Sequence, residues 1–216
     1  IERFRKQIAW ARDQERQGHP PIYFVGMGDY LDVMSPSNRE AWRSARLYDS
    51  VRQAMDEKAV ELEKQFLSEV RGTEGKWLGL LQGHHWFEHE DGTTSDTRIA
   101  KALGAPFLGT CAFIRLVFEN ANGHKVNTVI WAHHGKGNGL MPHTVLNTLY
   151  RVMTHFEADI YLMGHTTRKA AVTSPRLSFE GGKIRDKKKI LAGTGGFTKG
   201  YEQESSNLAG RPEGSY

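Results

Sequence analysis

Four short apolar runs in this chain each end in a short glycine-containing stretch that carries carboxylate or imidazole side chains. Ile22 to Val25 leads into Gly26-Met27-Gly28-Asp29-Tyr30-Leu31-Asp32. Trp77 to Leu81 leads into Gly83-His84-His85, Val126 to Ala132 into His133-His134-Gly135, and Ile160 to Met163 into Gly164-His165-Thr166-Thr167. Apolar runs of this length, bounded by turn residues, read as buried strands. Ligands bind beyond the carboxyl ends of strands in α/β sheets. A fold that satisfies all four runs therefore brings four reactive strand ends toward one place.

The segments between the runs set the class. Phe4, Ile8 and Ala11 recur at helical spacing, and Pro20-Pro21 ends that helix. Ser37 to Glu40 fits a capping box opening one long helix to about Val70. A short helix is expected over 96–103, and another from Pro142 to about Phe156. Phe107 to Phe118 and Val126 to Ala132 read as strands joined at Asn122-Gly123, a favoured hairpin turn. The rest reads as short strands, Ala170 to Val172 and Ile190 to Ala192, around Gly181-Gly182, then a Gly-rich stretch over 193–200. Strands alternating with helices and interrupted by a hairpin give an α/β or α+β layered domain. No linker or repeat divides residues 1–216, so one domain is expected.

Composition narrows the partners. With 216 residues the chain can build a real core. No apolar run reaches the roughly 18 residues of a membrane helix. The lone Cys111 excludes an internal disulfide framework and fits a reducing, cytoplasmic compartment. A net charge of +4 permits an anionic partner without demanding one.

Histidine and carboxylate at strand ends suit a divalent metal: manganese, iron, zinc or nickel. Asp29 has two oxygens and could bridge two cations, which would activate a water and clamp an in-line phosphoryl displacement. Gly-Asp-x-x-Asp alone is weak, since aspartate is ordinary in turns. The adjacent pairs His84-His85 and His133-His134 are stronger, and the four blocks in order favour a metal site.

These residues resemble the calcineurin-like metallophosphoesterase superfamily, phage and bacterial members most of all. The family's series is Asp-x-His, Gly-Asp-x-x-Asp, Gly-Asn-His-Asp/Glu, a later His, and Gly-His-x-His. Four of these five blocks have counterparts between Gly28 and Thr167. The resemblance implies a β-sandwich flanked by helices and a hydrolase using metal-activated water on a phosphodiester or phosphomonoester. It implies metal ligation by Asp29, His84, His133 and His165, and a catalytic His85 supported by Asp32. His134 is either a neighbour of the site, placed to touch substrate, or a substitute for His133. The Asp-x-His block is absent, which implies that it lies upstream of Ile1 and that the domain is truncated at both ends. His84 replaces the family's asparagine, Trp86 its acid and Thr167 its second histidine, which leaves one well-built metal site and one crippled one. A degenerate relative that binds metal or a partner without catalysis is the alternative.

Arg39, Arg43 and Arg46 share a helix face and could hold phosphate, although a solvated face is the commoner meaning of such a run. Lys183, Arg185 and Lys187 to Lys189 form a second basic stretch that could contact a nucleic-acid backbone, which keeps a nuclease among the readings. Gly135-Lys136-Gly137-Asn138-Gly139 lacks the P-loop spacing and reads as a loop.

Overall fold

The computed structural model describes residues 2–136, 141–166 and 168–197. Thr167, most of the 135–139 loop and the end of the Gly-rich stretch lie outside the described residues. Those described form an α+β chain with five helices and a mixed five-stranded sheet. The chain divides into two compact units, Ile1–Thr110 and Cys111–Tyr216.

The first unit contains α1 (Glu2–Arg16), β1 (Phe24–Gly26), α2 (Pro36–Ser44), α3 (Asp49–Glu69), β2 (Trp77–Leu80) and α4 (Ser95–Ala102). β1 and β2 pair in parallel, so both carboxyl ends emerge on the same side. Ile8 of α1, Val70 after α3, Trp77 and Leu80 of β2, and Ile99 and Leu103 of the α4 region form its main core. Burying side chains of this size stabilises by roughly 1.5–3 kcal/mol each before entropy is counted. Thr94 caps α4 through its hydroxyl and makes a reciprocal box with Thr97.

The long helix expected from Ser37 to Val70 is two helices. Its N-cap is Ser35, whose hydroxyl accepts from Asn38 N, and α2 ends at Ala45 in an extended conformation. Arg52 Nη2 donates to the carbonyl of Ala45 at 3.1 Å, satisfying one of the carbonyls the break leaves open.

The second unit contains β3 (Cys111–Glu119), β4 (Lys125–His133), α5 (Pro142–His155), β5 (Ile160–Met163), β6 (Lys169–Glu180) and β7 (Lys183–Thr194). The sheet order is β3-β4-β5-β7-β6. The two hairpins are antiparallel, whereas β4, β5 and β7 run parallel. The β3–β4 turn closes at Asn120, whose side-chain oxygen accepts from Asn122 N and His124 N, with Gly123 at φ 76°. α5 covers one sheet face through Val145 and Leu149 against Trp131, Tyr161, Met163 and Leu191. The two short strands expected after residue 170 are one long hairpin of 12-residue arms. Their solvent-side residues hide the arms from an argument that looks only for apolar runs. Among the described residues no helix is long and apolar enough to cross a membrane.

Candidate metal centre

Asp29 follows the β1 carboxyl end at φ 53°, a left-handed conformation uncommon for any residue but glycine. That backbone aims its Oδ1 at the peptide after β2, where it accepts from His84 N at 2.5 Å and His85 N at 3.1 Å. Gly83 permits the approach, because a Cβ there would collide with Asp29 N. Gly83 N in turn donates to the buried Asp96 Oδ2 at 2.9 Å. Asp96, in the first turn of α4, thus anchors the loop that carries both histidines. Sequence alone gives no separate signal for this, since an acid at a helix start is usual.

Two more contacts fix that loop. Arg39 Nη1 donates to the carbonyls of Met34 and His84, each at 2.7 Å, and of Trp86 at 3.0 Å. Its guanidinium lies 3.9 Å over the Trp86 ring. Burial, and next the charge of Arg43, pull the Arg39 guanidinium below its usual value. Arg39, which on sequence could hold phosphate, here holds the His84–Trp86 backbone. Arg43 pairs with Glu88 through both Nε and Nη2. Tyr30 donates its hydroxyl to Leu81 O at 2.8 Å, and burial, then the charge of Asp96, push its phenol well above the usual range.

His85 Nδ1 lies 2.7 Å from Asp32 Oδ1. The carboxylate can accept from Nδ1–H, which fixes the tautomer and leaves Nε2 available.

In the second unit, His165 follows β5 at φ 61°. Gly135 packs against it, since a Cβ there would lie 2.8 Å from Gly164 O and 3.1 Å from His165 Cβ. The His134 and His165 rings meet edge to face with centroids 5.2 Å apart, and His134 is only 2% exposed. His133, the expected ligand, is placed differently. Its ring stacks on Trp131 at 5.6 Å, and its Nδ1 accepts from Gly135 N at 2.8 Å. Burial, then neighbouring His134, hold His133 below the usual imidazole value. A neutral ring accepting at Nδ1 carries its proton on Nε2 and has no lone pair left for an ion.

Asp29 and His84 of the first unit, and His134 and His165 of the second, each offer one potential ligand atom. One carboxylate and three imidazoles is a donor set suited to a borderline divalent cation. Of the two adjacent histidines left open by the sequence, His134 meets His165 edge to face, whereas His133 stacks on Trp131. Comparison with protein-family models, curated proteins and solved structures finds no match for this chain.

Proposed function

We propose that the chain is a metal-dependent phosphoesterase, with Asp29, His84, His134 and His165 holding a divalent cation and His85 serving the leaving group. The reading is supported by the arrangement inside each unit: Asp29 Oδ1 held on the His84 and His85 N–H groups, and the His134 and His165 rings edge to face with centroids 5.2 Å apart. A cation bound there would supply Lewis acidity toward a phosphoryl oxygen and an activated water. The chain's own residues supply the rest. Asp32 holds His85 at Nδ1, so that the imidazolium form, carrying a second proton on Nε2, can give that proton to the departing oxygen and return to the neutral ring. Gly83 and Arg39 keep the His84–His85 peptide against Asp29.

A small phosphoester fits better than a polynucleotide. Arg39 and Arg43 are engaged within the protein. In the second basic stretch, Lys189 is bound to Glu157 and Asp159, and Lys187 to Glu180.

The test is hydrolysis of a chromogenic phosphodiester and the matching monoester with added manganese, for the native chain, Asp29→Asn and His165→Ala, with bound metal measured in parallel. The native chain is expected to bind metal and turn over, and both variants to lose the two together. Equal activity in all three would overturn the assigned site. Metal binding without hydrolysis would establish the non-catalytic alternative.

A further inference from the structure

The β6–β7 hairpin has one covered face and one open face. Directly opposed residues of an antiparallel pair share a face, and every second residue repeats it. Val172 and Leu191 are opposed and lie in the core beneath α5. The other face carries Thr173, Pro175, Leu177 and Phe179 opposite Ile190, Lys188, Asp186 and Ile184. All eight of these residues are exposed. Phe179 is 76% exposed, Ile184 72%, Leu177 68% and Ile190 45%. Phe179 and Ile184 form a direct cross-strand pair, with Leu177 one repeat along, so the apolar surface is continuous. Contiguous patches of this kind on soluble proteins mark association surfaces.

The charges on this face indicate what covers it. Asp186 and Lys188 have opposite sign, sit one side-chain repeat apart on β7 and bracket the approach to the apolar cluster. A two-fold interface must be self-complementary, each patch meeting its own copy. An axis between these two residues, running across the strands, sets Asp186 of each copy against Lys188 of the other, and with them Ile184 against Ile190, Leu177 against Pro175 and Phe179 against Thr173. Edge-to-edge pairing through β6 is disfavoured, because Pro175 interrupts the N–H row of that edge strand. We propose that this face binds a second copy of the chain, packed face to face about a two-fold axis.

The test is sedimentation velocity of the full chain over a micromolar concentration series. The expected species is about twice the 24.4 kDa chain mass. Phe179→Lys, at an exposed position, is expected to give monomer with an unchanged circular dichroism spectrum. Asp186→Lys and Lys188→Asp are each expected to weaken association at least tenfold, and the double exchange to restore it. Monomer at every concentration would overturn the proposal, and would leave the face to some other partner. A dimer indifferent to Phe179→Lys, or a double exchange that restores nothing, would overturn it equally.

Discussion

His85 Nδ1 stands 2.7 Å from Asp32 Oδ1, yet the two side chains differ in exposure, 34% for the imidazole and 91% for the carboxylate. An exposed carboxylate is screened by water, so its role is orientation more than field strength. His85→Ala is expected to lower kcat by about 100-fold or more, the usual span for loss of a proton-transfer group. Asp32→Asn should cost less, about 10-fold, because the imidazole keeps its place but loses its tautomer control. Bound metal should be unchanged in both. Loss of metal in His85→Ala would move His85 into the ligand set.

His133 and His134 are adjacent in sequence, yet the first stacks on Trp131 and the second meets His165 edge to face. His134→Ala is expected to weaken manganese binding at least tenfold, as removal of a direct ligand should. His133→Ala removes a ring stacked on Trp131 and an acceptor for Gly135 N. It should cost stability, about 1–2 kcal/mol, with metal affinity far less affected. Parallel metal titration and urea denaturation of the two variants separate these outcomes. The reverse pattern would return ligation to His133.

Gly83→Ala is expected to damage the site although it adds one methyl group. The new Cβ would meet Asp29 N, a backbone atom that cannot swing aside. Overpacking of this kind costs about 1–3 kcal/mol. Relief requires Asp29 to leave its left-handed conformation, which takes its carboxylate off the His84 and His85 N–H groups. A lower melting temperature together with lost metal binding is the expected result. An unaffected metal affinity would show that the Asp29 geometry is not held by Gly83.

How far such geometry was legible in the sequence differs by element. β5 was legible to the residue, because Ile160 to Met163 is an uninterrupted apolar run between Asp159 and Gly164. The strand ends were legible because glycine and histidine stand where the apolar runs stop. The α2–α3 break was not: Ala45 to Tyr48 contains neither proline nor glycine, and the break shows in the extended conformations of Ala45 and Tyr48. The β6–β7 hairpin was read short because its outer arms are exposed, so burial could not mark them. The different settings of His133 and His134 were not legible, since adjacency in sequence does not say which ring Gly135 N binds.

Arg39 illustrates the same limit and yields its own prediction. Three carbonyls converge on one guanidinium nitrogen from the turn before α2 and from the His84–Trp86 segment. Arg39→Ala leaves these acceptors without their donor and should destabilise by about 2 kcal/mol or more. Arg39→Lys keeps the charge but loses the planar fork that stacks on Trp86, and should recover less than half of the loss. If Arg39 instead bound substrate, both variants would raise KM with little change in melting temperature. Comparing KM with thermal stability in the two variants decides the matter.

Lys189 is 2% exposed and its ammonium lies 2.7 Å from Glu157 Oε1 and 3.1 Å from Asp159 Oδ1. Burial pulls the ammonium down, but hydrogen bonds to Glu157 and Asp159 outweigh it and hold Lys189 above its usual value. Burial likewise pushes Asp159 up, and the Val129 N–H and Lys189 outweigh that, leaving its carboxyl below the usual range. A lowered carboxylate contributes stability that is present above its unfolded value, near 4, and lost as pH falls through the folded one. A raised ammonium contributes stability that is present below about 10.4 and lost as pH rises through its folded value. The pair therefore acts between those limits. Lys189→Met is expected to cost about 1–2 kcal/mol at pH 7, less than a fully buried pair because Asp159 is 43% exposed. Urea denaturation of the native chain and the variant should show that gap narrowing toward pH 3, as the native carboxylates take up protons. A gap of the same size at pH 3 would assign the loss to packing of the lysine stem and not to the ion pair.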